Sequence, residues 1–150
     1  MSRRVLGVVA LVVAVSVCMA SFAAVVSGQK SKIRRVGTAV SAETAQIQKG
    51  KRQVNVTGVV QSSVARCERQ RSVLLYEVGP TGDFVGGAIG HGVSQGGTQR
   101  GQVTIQGFAP KKIKPDRRFR LEAVGRKVKI KGKEIICKRG VSVMFPGDFG

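Results

Sequence analysis

Apolar and polar residues alternate with a period of two through most of the chain. In the stretch RQVNVTGVVQ, Val54, Val56, Gly58 and Val60 fall on one face and Asn55, Thr57 and Val59 on the other, which is the pattern of a half-buried strand. In RSVLLYEV, Val73 and Leu75 share one face while Leu74, Tyr76 and Val78 share the other. Apolar residues on both faces predict a central strand. Further on, GQVTIQGF, RRFRLEAVG, RKVKIKG, KEIICKRG and VSVMF each read as a strand bounded by a turn signal. The glycine-dense span Gly79 to Gly101 reads as a mobile hairpin loop with one weak strand over Phe84 to Ile89. No stretch sustains the spacing of an amphipathic helix. Seven or eight short strands at this spacing predict an all-β fold, read here as a single antiparallel β-sandwich.

The amino terminus follows a different rule. Arg3 and Arg4 precede an apolar run, Val5 to Val26, that grades into small residues, the layout of a secretory signal. Ser21 and Ala23 suit cleavage after residue 23, and Val26 with Gly28 offers a second point. The same run is long enough to cross a bilayer as an uncleaved anchor. A lipid attachment at Cys18 is disfavoured by Val17, which stands where a small residue is wanted. The expected organisation is a signal helix over 1–23, a flexible leader with room for a first strand over 24–49, a β-sandwich over 50–146 and a tail over 147–150. A chain of 150 residues needs no second core.

Export changes the meaning of the cysteines. Once Cys18 leaves with the signal, Cys67 and Cys137 remain, and an even count in an exported chain points to a disulfide. Cys67 is placed just ahead of the most apolar strand and Cys137 at the end of another, so a bond between them would tie strand ends together. On this reading Arg69 and Arg71 are solvated charges at the entry of the strand.

The pieces VTGVVQSS, Cys67 with RSVLLYEV, RGQVTIQG, FRLEAVG and CKRGVSV together resemble small exported bacterial β-sandwich domains of the transthyretin-like and carboxypeptidase-regulatory-like kind. The resemblance covers about residues 50 to 145. It implies a transthyretin-like or Ig-like sandwich with a non-catalytic role, and it carries no functional residues across. The aromatic residues such domains place after the late glycine and in the next strand are here Val103 and the Phe119 to Leu121 segment.

Candidate chemistry is sparse. The sole histidine, His91, lies in GHG, where pairing with Ser94 or Asp83 would have to create a secreted hydrolase in poorly preorganised surroundings. One histidine and two distant cysteines lack the spacing of a zinc site, and the acids lack that of a calcium loop. The glycine run has no Gly-Lys-Ser/Thr and no strand-to-helix context for a phosphate cradle. No cofactor is expected. The sequon at Asn55 to Thr57 falls on an alternating strand and reads as chance.

Charge is the feature above background. The chain carries a net charge of +18, and losing Arg3 and Arg4 with a leader that has no acid leaves +16. Cations crowd between Lys111 and Arg139, and those expected to attach to a polyanion are Lys111, Lys112, Lys114, Arg117, Arg118, Arg126, Lys127, Lys129, Lys131 and Lys133. Lys127, Lys129 and Lys131 are expected in a row on one strand face, about 7 Å apart. Such a row suits an anionic polymer of the cell envelope or phospholipid headgroups. Nucleic acid is disfavoured by the export signal, and both nucleic acid and sugar ligands by the scarcity of aromatic rings, with Tyr76 and Phe119 assigned to the core and no stacking surface evident. A non-enzymatic envelope module is the function these features favour. A membrane-tethered interaction module, with the signal retained as its anchor, is the alternative.

Overall fold

A computed structural model describes residues 33–48 and 52–149. The apolar run at Val5 to Val26, and with it the expected signal helix, lies outside the described residues. The described chain is all-β. Its strands are β1 (Arg34–Val36), β2 (Ala39–Ile47), β3 (Gln53–Gln61), β4 (Ser72–Val78), β5 (Gly90–Val93), β6 (Gln102–Phe108), β7 (Arg118–Ala123), β8 (Arg126–Ile130), β9 (Lys133–Cys137), β10 (Gly140–Val141), β11 (Phe145–Pro146) and β12 (Asp148–Phe149). One helical turn, α1 (Ala65–Glu68), stands between β3 and β4. The count exceeds seven or eight because several strands are two or three residues long.

The larger sheet runs β10-β7-β4-β5-β6-β3-β2-β12, with β11 also pairing β7. A smaller sheet runs β1-β9-β8. Pairing is antiparallel except where β1 meets β9 and β12 meets β2, both parallel. Each parallel pair joins one short outer strand, β1 or β12, to a longer inner one.

The period-two pattern drives the burial. In β3, Val54, Val56 and Val60 point inward and are almost fully buried. In β6, Val103 and Ile105 do the same. With Ile47, Val73, Leu75, Phe119 and Leu121 they form one core, so the large sheet curls to bring β2 near β7. Gly58 permits this approach. A Cβ at that position would lie 2.7 Å from Leu121 Cδ1 and 2.7 Å from the Ser41 carbonyl oxygen. The strands β1 and β2 fall before residue 50 and contribute Val36, Val40, Ala45 and Ile47 to the buried set.

A second, smaller core lies between α1 and the small sheet. It gathers Val36, Cys67, Ile135 and Cys137, with Val64, Val128 and Ile130 against them. Cys67 and Cys137 form a disulfide with Cα atoms 5.5 Å apart. Cys137 ends β9 as expected, whereas Cys67 sits in the helical turn and not at a strand end. The bond therefore fastens α1 to the small sheet.

The glycine span contains a strand, displaced from the expected position. Phe84 makes only an isolated bridge to Val78, and the strand is Gly90–Val93, pairing with β4. Glycine is required there because a Cβ at Gly90 or Gly92 would stand 2.8 Å from the Ile105 side chain. The two glycines let β5 lie against the core where a larger residue could not.

Arg71 departs furthest from expectation. It is fully buried, not solvated. Its side chain donates to the carbonyls of Cys67 (3.0 Å), Val124 (2.9 Å) and Lys138 (3.0 Å), and to Thr38 Oγ1 (3.3 Å). Burial, and then the proximity of Arg126, lower its proton affinity from the usual guanidinium range. One planar fork thus joins α1, the ends of β7 and β9, and the β1–β2 link.

Candidate anion-binding cleft

The turn between β8 and β9 sets the geometry of the site. Lys131 and Gly132 both take left-handed backbone conformations, with φ of 48° and 77°, so β8 and β9 join through a two-residue hairpin turn of the kind that favours positive φ. That turn fixes a register in which Arg126 faces Cys137 and Lys129 faces Glu134. Because Cys137 is bonded to Cys67, the arginines flanking Cys67 arrive beside β8.

The result is a cleft of about 430 Å³ lined by Arg66, Arg69, Gln70, Arg126, Lys127, Val128 and Lys129. Five of these seven residues are cationic and none is acidic. The Glu68 carboxylate, from the same helical turn, is committed elsewhere, to the Ser62 amide and to Arg100. Arg126 braces the cleft floor: it donates to the carbonyls of Arg66, Arg69 and Gln70. Arg66 in turn donates to the Lys129 carbonyl. Burial, and secondarily Arg69, lower the proton affinity of Arg126. Gln70 holds a left-handed φ of 54°, a conformation that costs a non-glycine residue of order 1 kcal/mol or more. Its amide is anchored to the Ser94 carbonyl at 2.7 Å.

Of the cations singled out in the sequence, Arg126, Lys127 and Lys129 come together here. Lys127 also lies 3.5 Å from Glu134. Lys131 leaves the expected row, since it occupies the hairpin turn, and Lys133 opens β9 as an exposed residue. Lys111, Lys112 and Lys114 are exposed on the β6–β7 connection, pinned by the buried Ile113 between them. Arg117 pairs with the buried Glu77 at 3.3 Å, and Arg118 is exposed on β7. These five lie outside the cleft. Sequence reasoning left Arg66 and Arg69 out of the basic site and read Arg69 as a solvated charge.

His91 is exposed on β5, opposite Leu74. The Ser94 hydroxyl is buried, donating to the Glu68 carbonyl and accepting from the Arg71 amide. Asp83 accepts from Thr81 at 2.7 Å. Both groups considered as partners of His91 are thus engaged elsewhere. Among the described residues no cluster of three or more His, Cys, Asp or Glu could hold a metal ion.

Exposed rings are present, against expectation. Phe108 is 58% and Phe84 48% exposed. Tyr76 is half-buried rather than core, and it meets Phe84 edge-on at 5.0 Å, with the Arg120 guanidinium 5.7 Å from the Phe84 ring centre. Phe119 is fully buried, as expected.

No family model matches the chain, and no curated protein matches it in sequence.

Proposed function

We propose that this chain is an exported, non-enzymatic binding module of the cell envelope that engages an anionic polymer through the cleft between α1 and β8. The observation that carries the reading is the convergence of Arg66, Arg69, Arg126, Lys127 and Lys129 on one concavity lined by no acid. Arginine forks bind phosphate and sulfate groups in two-pronged fashion, and a cleft with one sign of charge raises the local concentration of counter-ions. Cations on Lys111, Lys112, Lys114, Arg118 and Lys133 extend the attraction beyond the cleft without shaping it. Phospholipid headgroups carry the same anionic chemistry.

The location rests on two supports: the basic and apolar amino-terminal run, and an oxidised cysteine pair of the kind that oxidising compartments sustain. The finer fold assignment belongs with this reading. A sandwich of the transthyretin-like or Ig-like kind is supported by the β3 and β7 residues that meet across one interior, Gly58 against Leu121.

The test is retention on immobilised polyphosphate and on a sulfated polysaccharide across a salt gradient. Retention should weaken steeply with salt, and the salt slope should fall by about one for each phosphate contact removed. Reversing the charge of Arg66, Arg69 and Lys129 should abolish retention, while reversing Lys111, Lys112 and Lys114 should reduce it only slightly. Retention unchanged at about 1 M salt, where the screening length is ~3 Å, would refute the reading.

A further inference from the structure

The strands β2, β3 and β6 lie side by side and bury most of their aliphatic residues, so their alternate residues form one outer face. On it, Gln46, Asn55 and Gln106 stand in register across the three strands, and Thr44, Thr57 and Thr104 form the next row. Thr44 and Thr57 share a hydrogen bond of 2.6 Å between their hydroxyls. At one end Phe108, opposite Gln53, presents an exposed ring.

The face is nearly free of charge. Together β2, β3 and β6 carry one charged residue, Glu43, at the register shift between Ala42 and Thr44. By contrast β7 and β8 carry Arg118, Arg120, Arg126, Lys127 and Lys129. In a chain with 26 basic and 8 acidic residues, three adjacent strands with exposed outer positions would ordinarily take several charges, because lysine and arginine keep sheets soluble. Amides and hydroxyls do the solvating here instead.

The chemistry of that lattice selects its ligand. A charged ligand would find little counter-charge on it, and an apolar one would find only Phe108 and the half-buried Val59. Each amide and hydroxyl side chain can both donate and accept, and neighbouring rows repeat at about 4.8 Å across strands and ~7 Å along them. A chain of hydroxylated rings, itself neutral and both donor and acceptor, matches this array. Phe108 can cover the C–H face of one ring. We infer that the β2-β3-β6 face binds a neutral glycan chain, independently of the anion-binding cleft. A second copy of the protein is a poorer fit, because sheets stack through interdigitated apolar side chains and this face offers only Phe108 and Val59.

The test uses the oxidised full chain. Binding of a soluble linear N-acetylglucosamine oligosaccharide and of a linear glucan oligosaccharide is followed by calorimetry, with pull-down on insoluble chitin and cellulose. At least one of these should bind, with affinity changing less than about twofold between low salt and ~1 M salt, since no ion pair is formed. Asn55→Lys and Gln106→Glu should each weaken binding by about tenfold, the equivalent of one or two hydrogen bonds, and Phe108→Ala should do likewise. Gln106 and Phe108 are exposed and Asn55 is half-buried on the outer face, so unchanged melting temperatures separate loss of binding from loss of fold. Absence of binding to every one of these glycans would overturn the inference. So would binding that high salt abolishes, or a concentration-dependent dimer that Asn55→Lys dissolves.

Discussion

Replacing Arg71 by methionine tests how the two cores are joined. The side chain is fully buried and reaches four acceptors on four different segments. Methionine fills much of the same volume but donates nothing. Three carbonyls, that of Cys67 buried and those of Val124 and Lys138 partly so, would then lose a charged partner, at up to about 1–3 kcal/mol each where water does not replace it. Against this stands relief from burying a guanidinium that has no carboxylate beside it, an unfavourable placement reflected in its lowered proton affinity. The net expectation is a loss of about 3–5 kcal/mol, a figure typical of removing one partner from a buried charged network. Urea unfolding at neutral pH measures it. With a slope near 1–3 kcal/mol/M for a small domain, the midpoint should fall by about 1 M or more. Arg71→Lys should fall in between, because an ammonium can serve some of the carbonyls but not the planar fork. A methionine variant as stable as the parent would show that the guanidinium's burial cost cancels its hydrogen bonds, and that the joint lies elsewhere.

Reducing the disulfide, or making Cys67→Ser, should cost roughly 4 kcal/mol in the chain-entropy picture for a loop of 70 residues, read as a shift in thermal midpoint with and without reductant. Lys131→Asn should stabilise by a few tenths to ~1 kcal/mol, since asparagine tolerates the left-handed conformation that Lys131 holds; an unchanged urea midpoint would count against that strain. Glu77 is buried, and burial raises its carboxyl above the ordinary glutamate range although Arg117 partly offsets this. In the window between the ordinary and the raised value the folded state holds more protons than the unfolded, so stability should decline as pH rises through it. Glu77→Gln should flatten that slope in a pH series of urea midpoints. Gly58→Ala should destabilise by about 1–3 kcal/mol, because its Cβ would press on the Ser41 backbone, which cannot swing aside.

The strands were legible because burial obeys a period of two. Val54, Val56 and Val60, or Val103 and Ile105, announce their inner face directly, and the structure buries each of them. The long strand β2 was hard to see because its sequence, AVSAETAQI, is rich in alanine and breaks register near Glu43. The strand β5 was hidden in glycines whose value lies in what they lack: no local pattern reports that Ile105 will crowd Gly90 and Gly92. Arg71 looked like its neighbour Arg69 because charge in a sequence does not say which guanidinium will find carbonyls to cap. The cysteine pair was legible from counting, yet its consequence for the site was not drawn from it.

That consequence follows from register. A two-residue turn at Lys131 and Gly132 forces Arg126 opposite Cys137, and a bond from Cys137 to Cys67 then forces Arg66 and Arg69 onto Arg126 and Lys129. Like charges so placed repel, and the fold holds them by giving the Arg126 fork three backbone carbonyls from the turn that carries its rivals. The small sheet has only a modest core of its own, so the disulfide and Arg71 stand in for the apolar burial that would otherwise keep such a cluster closed. An anion entering the cleft would relieve the repulsion directly. It follows that saturating polyphosphate should raise the unfolding midpoint of the oxidised protein, by about 2.7 kcal/mol at a hundred times the dissociation constant if only the folded state binds. The gain should shrink for the reduced protein, whose α1 is no longer fastened beside β8. An equal gain in both forms would mean that the cations attract the polymer as scattered surface charges, with the cleft contributing nothing.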